Sequence, residues 1–159
     1  MITYHNGDVL EAGAPVTLHQ VNCAGIMGAG LAKQIRQKYP SVYNRYRDFA
    51  LGYDFSANQL LGFSLFTSIN LDEKLPFIVN CFAQDEFGRD KVQTNYEALN
   101  DCFLDVELIC RQSYDCCTIA IPDHIGCGLA GGDWSIVHEM ICNVFADYPG
   151  NVQIWKYNK

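Results

Sequence analysis

The sequence predicts an α/β domain built on a mostly parallel sheet. Short apolar strands alternate with helical segments along the whole chain, which is the pattern of strand–helix–strand units. Two of the strands run directly into glycine-rich loops that open helices, at residues 22–30 and 125–132. In open sheets of this class, ligands bind at the carboxyl ends of the strands. We therefore expect both loops to face a common ligand at one edge of the sheet.

The first half of the chain predicts four strands and two helices. The strands are rich in β-branched and apolar residues, and the first helix carries a stripe of Leu31, Ala32 and Ile35. The second helix is short and starts at Pro40. The predicted strands are 2–5, 15–22, 60–69 and 76–82, and the first helix is 29–38.

The second half predicts two helices and two strands. The longest helix spans 95–112, and Thr94 or Asn95 can cap it. The last helix spans 134–146, with Asp133 as its cap. The predicted strands are 117–122 and 151–157.

Length and composition are those of one globular domain, 1–159. The 159 residues are 49% hydrophobic and 18% charged, and the longest apolar stretches have strand length, so no membrane partner is expected. The net charge of -7 argues against a duplex nucleic-acid partner, which needs clustered Lys and Arg. No exposed apolar stripe is evident in the pattern, so a monomer is the simplest expectation.

The eight cysteines form no recognisable metal or disulfide pattern. No pair has the Cys-x2-Cys spacing of a zinc knuckle, so we expect neither a metal nor a cofactor. The N-terminus also lacks the basic and then apolar pattern of a secretory signal. We therefore expect free thiols in the reducing cytoplasm.

The glycine-rich loops have the context of an anion site. A strand, a glycine loop and a helix N-terminus together offer free backbone N–H groups and a partial positive charge. Gly25, Gly28 and Gly30 lack the spacing of the dinucleotide fingerprint, and no Gly-Lys-Ser/Thr of a P-loop is present. One such loop can equally be a turn that lets a helix pack closely. Two loops in matching context favour a clamp for a diphosphate.

Polar residues next to these loops are candidates for ligand chemistry. Asp8 follows the first strand, where a carboxylate can accept a hydrogen bond from the amine of a base, although a turn or cap is its commoner use. His19 precedes the first loop and can act as an acid or base, with a core histidine as the alternative. His124, beside Asp123, is a second possible acid–base site.

Three further features have a functional and a structural interpretation. Residues 80–89 are predicted to end a strand in a polar, aromatic loop that can line a ribose pocket or simply cover the surface. Trp155 can stack on a base, although aromatic strand residues are more often core. Lys33 and Arg36 can help to hold phosphate, although solvated charges on a helix face are the commoner case.

Together these residues resemble the macrodomain family, an ADP-ribose-binding fold, over nearly the whole chain. The resemblance rests on Gly7-Asp8-Val9, on the run from His19 to Ala32 and on the run from Ile125 to Trp134. It implies a three-layer α/β/α domain with a central mixed, mostly parallel sheet. It also implies that Asp8 meets the adenine amine, that the first loop lies by the distal ribose and that the second holds the diphosphate.

Two branches of that family are similar to this chain. One removes ADP-ribose from glutamate or DNA bases, using a lysine at the end of a middle strand and an acidic residue directly after Gly-Cys-Gly-Leu. Here those places are assigned to Asn80 or Cys81 and to Ala130, which counts against that chemistry. The other branch comprises stand-alone phosphatases of bacteria and their phages that act on ADP-ribose-1″-phosphate.

The chain looks most like the phosphatase branch, through His19, the Asn22-Cys23-x-Gly25 step, the loop from Phe82 to Gly88 and the missing lysine. The sequence therefore predicts hydrolysis of the terminal phosphate of ADP-ribose-1″-phosphate, a small-molecule partner. The resemblance makes His19 the catalytic acid or base and lets Asn22 position the distal ribose. The alternative is a binding module that sequesters ADP-ribose, or a signal derived from it, without turnover. The expected ligand-binding residues are Asp8, Val9, Cys23, Gly25, Met27, Gly28, Ala29, Gly30, Leu31, Phe82, Gly126, Cys127, Gly128, Leu129, Ala130, Gly131 and Trp155.

Overall fold

Six strands and five helices follow one another in the computed structural model, which describes residues 1–52 and 57–158. None of the described helices is both long and apolar enough to cross a membrane. The strands are β1 (Ile2–Asn6), β2 (Val16–Asn22), β3 (Ser64–Ser68), β4 (Phe77–Gln84), β5 (Ile119–Pro122) and β6 (Val152–Lys156). The helices are α1 (Gly30–Lys38), α2 (Pro40–Gly52), α3 (Ala57–Leu60), α4 (Tyr96–Ser113) and α5 (Trp134–Val144).

The strands form one sheet in the order β1-β6-β5-β2-β4-β3. Every neighbouring pair is parallel except β3 and β4, which are antiparallel. The prediction of a mixed, mostly parallel sheet is therefore confirmed. The central strands β2 and β4 are buried along nearly their whole length, as expected for a sheet covered on both faces.

Helices cover both faces of this sheet and produce three layers. On one face, α4 and α5 pack through Phe103, Val106 and Ile141. On the other face, α1 and α2 pack through residues that include Ile35 and Tyr46. Each of these side chains is fully buried, which stabilises the domain by about 1.5–3 kcal/mol for a side chain of this size. The apolar stripes of the sequence thus mark the inner faces of the helices correctly.

Four element boundaries differ from the prediction by two residues or more. β5 begins at residue 119 rather than 117, and α5 ends at residue 144 rather than 146. The chain expected as a strand from residue 60 first turns at Gly62, where φ is +90°, so β3 begins only at Ser64. β4 does not end at residue 82 but continues to Gln84, which pairs with Asn22 of β2. Its apolar run stays buried through Ala83, and burial on both faces keeps the strand going. The predicted polar loop therefore starts later, at residue 85.

A crevice follows from the way in which β2 and β5 pair. They are bonded only through Val16 with Ile119 and Thr17 with Ala120, and they separate beyond that point. The helix after β2 lies on one face of the sheet and the helix after β5 lies on the other. Neighbouring strands whose connections leave in opposite directions open a crevice at their carboxyl ends, where α/β proteins bind ligands.

Candidate functional site

A cleft of about 640 Å³ opens at the carboxyl ends of β2, β4 and β5. Three segments form its walls: β2 with the first glycine-rich loop, the loop after β4, and the second glycine-rich loop. The two loops thus face a common space, as the sequence predicts. The predicted site residues that line the cleft are His19, Asn22, Gly28, Ala29, Gly30, Leu31, Gly126, Gly128, Leu129 and Ala130.

Helix α1 begins at this cleft without a side-chain cap. Its N-cap residue is Ala29, in an extended conformation, and no side chain bonds the N–H groups of the first turn. Two later helices are capped in the predicted way, α4 by Asn95 and α5 by Asp133. Uncapped N–H groups and the positive end of the helix dipole favour an anion at this position.

The second loop presents backbone N–H groups from the opposite wall. The loop is closed by a bond of 2.9 Å from the N–H of Gly132 to the carbonyl of Gly126. The N–H groups of Gly128, Leu129 and Ala130 donate to no group in the part of the chain that the structure describes. A concave row of such donors suits a phosphate oxygen.

A network of side chains below the cleft fixes the second loop to the sheet. The Nε2 of Gln20 donates to Oε1 of Gln84 and to Oγ1 of Thr94, at 2.9 Å each. Thr94 in turn donates to the carbonyl of Gly126 at 2.5 Å. Gly126 has a φ of +72°, and a Cβ there would lie 2.6 Å from Oε1 of Gln20. Only glycine allows the loop to approach β2 so closely.

His19 is buried in the floor of the cleft, with 2% of its surface exposed. Its Nε2 lies 2.6 Å from Oδ1 of Asn80, whose own Nδ2 donates to the carbonyl of Leu65 and to Thr67. Because Oδ1 can only accept, Nε2 carries the hydrogen and Nδ1 carries the lone pair. Burial lowers the pKa of His19 to about 4, so the ring is neutral near pH 7.

Two buried acceptors in the floor of the cleft have no partner. They are Nδ1 of His19 and Oε1 of Gln20, and no other buried side-chain nitrogen or oxygen among residues 1–52 and 57–158 lacks one. Buried polar atoms are nearly always paired, so a hydroxyl or water donor is expected to complete both. Sequence reasoning missed Gln20, although a long polar side chain within an apolar strand was a visible signal.

Asn22 holds the first loop in place rather than pointing freely into the cleft. Its Oδ1 accepts from the N–H groups of Ala24 and Ile26 and, at 2.7 Å, from the hydroxyl of Tyr46. Its Nδ2 donates to the carbonyl of Ile26 at 2.8 Å, which leaves one hydrogen for a ligand. Asn22 is therefore a positioning residue for the loop.

Several predicted contact residues belong to the layer behind the cleft. Phe82 and Met27 are buried in the core between the sheet and α2, so their side chains do not reach the cleft. A Cβ on Gly25 would lie 3.0 Å from Leu51, so this glycine serves packing against α2. Burial raises the pKa of Cys23 to about 12 and that of Cys127 to about 11, so both remain thiols.

The predicted adenine residues lie beside β1 and β6, outside the lining of the cleft. Asp8 accepts from the N–H of Leu10 at 2.9 Å and caps a short 3₁₀ helix, Val9–Glu11, in which Val9 is buried. The Trp155 ring stacks on His5 with 4.8 Å between ring centroids. A Cβ on Gly7 would lie 3.3 Å from the Trp155 ring, so this ring packs against the residue that precedes Asp8.

The rim of the cleft contains side chains that the sequence did not single out. Ile26, Phe87 and Leu129 are apolar and between 43% and 56% exposed, one on each wall segment. Arg89 adds a cation on the loop after β4. Only Leu129 was among the expected contacts, because single rim residues on loops leave no periodic signal in a sequence.

The second acid–base candidate also lies in the cleft. Nδ1 of His124 is 2.6 Å from a carboxylate oxygen of Asp123. The His124 ring stacks on Trp134 with 4.9 Å between centroids, and more than half of its side chain is exposed. It is thus accessible to a ligand at the β5 end of the cleft, whereas His19 is enclosed.

Comparisons with known proteins place these features in context. No family profile matches the chain. The DNA ADP-ribosyl glycohydrolase of Mycobacterium tuberculosis is 28% identical over 149 residues, covering 94% of this chain but only 40% of the relative. An ADP-ribose 1″-phosphate phosphatase of Aspergillus oryzae is 42% identical over 57 residues, 35% of this chain and 28% of the relative. The solved macrodomain of Mycobacterium tuberculosis DarG has a TM-score of 0.80 at 23% identity, covering 98% of this chain and 97% of that one.

The buried His19 predicts a pH-dependent stability. The unfolded chain takes up a proton at this side chain below its ordinary pKa of 6.5, whereas the folded chain does so only near pH 4. The free energy of unfolding should therefore fall by about 3 kcal/mol through His19 between pH 7 and pH 4. Urea unfolding of the wild type and of His19→Gln across this range measures the difference. Equal pH dependence in the two proteins would contradict the assignment.

Proposed function

We propose that this chain, which shares the fold of the macrodomain of Mycobacterium tuberculosis DarG, binds ADP-ribose in its cleft through the two glycine-rich loops. The observation that carries the proposal is the pair of donor rows on facing walls. The uncapped first turn of α1 and the free N–H groups of Gly128, Leu129 and Ala130 can hold the two phosphates from opposite sides.

The remaining contacts give the ligand a direction along the sheet. Asp8 uses one carboxylate oxygen for its cap, and the other is available to an adenine amine, with Trp155 close by. These residues lie at the β1–β6 side, so a diphosphate between the loops directs the distal ribose toward β4. There, a ribose hydroxyl or a bound water can donate to Nδ1 of His19, and the free Nδ2 hydrogen of Asn22 can position the ribose.

We further propose that the activity is hydrolysis of ADP-ribose-1″-phosphate. In this reaction water attacks phosphorus, the bond between phosphorus and the 1″ oxygen breaks, and ADP-ribose and inorganic phosphate are released. Its support is the relative named as such a phosphatase and the polar floor of the cleft. His19 is proposed to accept a proton from the attacking water through Nδ1, the nitrogen that carries the lone pair.

The chain lacks the groups expected for removal of ADP-ribose from glutamate or DNA. β4 ends at Gln84, so the strand-end position that would hold a lysine is Gln84 rather than Asn80 or Cys81, which lie within the strand. No lysine among residues 1–52 and 57–158 lines the cleft, and Ala130 stands at the position assigned to the acidic residue of the second loop. Without an amine nucleophile, the cleft lacks the group that would attack ADP-ribose linked to glutamate or DNA.

Binding without turnover is the second candidate function, and the state of the two catalytic candidates favours it. The side-chain oxygen of Asn22 is occupied by its own loop, and His19 is enclosed, with its pKa lowered to about 4. A weakly basic, enclosed imidazole is a poor general base near pH 7. A cleft built from backbone donors holds a diphosphate without needing either residue.

Phosphorus NMR separates the two candidates. With ADP-ribose-1″-phosphate and a catalytic amount of protein, we expect an inorganic phosphate signal to grow while the diphosphate signals stay intact. His19→Ala should abolish this growth but still shift the diphosphate signals when present in stoichiometric amount. If wild type shifts the signals and releases no phosphate, the protein is a binder. Equal turnover by His19→Ala would remove His19 from the mechanism.

A cap introduced at α1 tests the anion site directly. Ala29 is exposed and has extended backbone angles that suit an N-cap residue, so Ala29→Asp should raise the free energy of unfolding by about 1 kcal/mol. The same carboxylate would occupy the donors and repel the diphosphate, so affinity for ADP-ribose should fall about tenfold or more. Calorimetric titration and urea unfolding measure the two effects.

Ala29→Asn is the matched control, because its side chain caps the helix without a charge. We expect a similar gain in stability and a smaller loss of affinity. An Ala29→Asp protein that binds ADP-ribose as tightly as wild type would show that the α1 N-terminus does not hold the ligand.

A further inference from the structure

A second cavity of about 460 Å³ adjoins the main cleft. Arg89, Gly128 and Leu129 line both spaces, so the second glycine-rich loop forms the partition between them. The outer cavity is completed by Lys91, Val92 and Gly131. It contains two cations and a turn of glycine-rich backbone, and it is continuous with the proposed diphosphate site.

The two cations are unpaired. Neither Arg89 nor Lys91 forms an ion pair with any residue that the structure describes, and both are exposed. Their loop also carries Asp85, Glu86 and Asp90, but none of these carboxylates lines either cavity. Asp90 accepts a hydrogen bond from Gln93 at 3.2 Å. Among the charged residues of the loop after β4, only Arg89 and Lys91 therefore line a cavity.

The loop that carries these cations is fixed against the second glycine-rich loop. The N–H of Gln93 donates to the carbonyl of Ala130 at 2.8 Å, and Nε2 of Gln84 donates to the carbonyl of Glu86 at 2.7 Å. A Cβ on Gly131 would lie 3.6 Å from the Cα of Val92. Both ends of the segment are thus tied down, which holds Arg89 beside the free N–H groups of the partition.

The position of this loop along the sheet indicates what it contacts. The β1–β6 side holds Asp8 and Trp155, and the loop after β4 lies at the opposite end of the cleft. A ligand with adenine at the first side and its diphosphate between the loops places its distal ribose next to Arg89. Whatever group is attached to the 1″ position then lies beside Arg89, which lines both spaces, while Lys91 lines the adjoining outer cavity. Guanidinium and ammonium groups bind phosphate oxygens through charge-assisted hydrogen bonds.

We propose that Arg89 and Lys91, beside the second glycine-rich loop, form an anion subsite for a phosphate group attached to the distal ribose. The inference rests on the proposed binding of ADP-ribose and assigns recognition of the 1″-phosphate to two side chains of the loop after β4. Arg89 and Lys91 are specificity-determining residues that distinguish the phosphorylated ligand from its product, ADP-ribose.

The test compares two ligands that the protein does not consume. One is ADP-ribose, and the other is its 1″-phosphonate, in which a methylene group replaces the bridging oxygen. Calorimetric titration gives the dissociation constant of each for wild type, Arg89→Ala, Lys91→Ala and the double variant. Arg45→Ala is the matched control, because Arg45 is exposed on α2 and lines neither cavity. Arg89→Lys tests whether charge alone suffices.

Wild type should bind the phosphonate about tenfold more tightly than ADP-ribose, the factor expected from one charge-assisted bond. The double variant should lose this preference while keeping its affinity for ADP-ribose, and Arg45→Ala should retain both. If the double variant still binds the phosphonate more tightly than ADP-ribose, or if wild type does not, the subsite inference is wrong and the proposed binding of ADP-ribose still stands. If wild type fails to bind ADP-ribose, the proposed function fails, and the subsite inference fails with it.

Discussion

The short pairing between β2 and β5 is the constraint on which the site depends. Two parallel strands that stayed bonded to their ends would close the sheet under both loops. Here the bonds stop after Thr17 and Ala120, and the following helices leave toward opposite faces. The separation produces the cleft, brings the α1 N-terminus to one wall and leaves the second loop on the other. The donors of both walls are thus positioned by the sheet and not by contacts between the loops themselves.

Strand β2 combines the roles of core element and ligand platform. Val16 and Leu18 are fully buried and anchor the strand, while the next residues along it carry the polar groups of the cleft floor. A buried acceptor left without a donor costs about 1–3 kcal/mol, so Nδ1 of His19 and Oε1 of Gln20 are expected to be completed by a ligand hydroxyl or by water. A fold tolerates such groups where a ligand completes them, since local departures from good packing concentrate at functional sites.

The sequence predicted most of the fold because its periodic signals are strong. The apolar stripe with Leu99 and Phe103 fixed α4 to within one residue, and Asn95 and Asp133 are caps as expected. The end of β4 was placed two residues early, at 82 instead of at Gln84, which pairs with Asn22 of β2. A cross-strand partner of that kind has no local signature.

The site was predictable at its backbone and much less so at its side chains. Glycine-rich loops that precede helices can be recognised from composition alone, and residues 28–31 and 128–130 do line the cleft. Arg89 and Phe87 were passed over individually, because only the three-dimensional path of the loop after β4 brings them to the rim. Phe82 was predicted to bind the ligand because it is an aromatic residue near a loop, but it packs against Tyr46 and Phe49 in the core.

The acidic character of the chain is compatible with an anion site, because the net charge and the N–H groups of the site act over different distances. A net charge of -7 sets the long-range field, which repels polyanions but is screened within about 8 Å at physiological ionic strength. N–H groups at a helix terminus act within roughly one turn of the helix, through direct contact with phosphate oxygens. A small ligand that enters the cleft exchanges the long-range repulsion for these contacts, and Arg89 and Lys91 add charge only at its distal end. A duplex, held outside by its width, experiences the repulsion without the contacts. On the proposed function, the combination therefore favours small phosphate esters over nucleic-acid backbones without any group dedicated to exclusion.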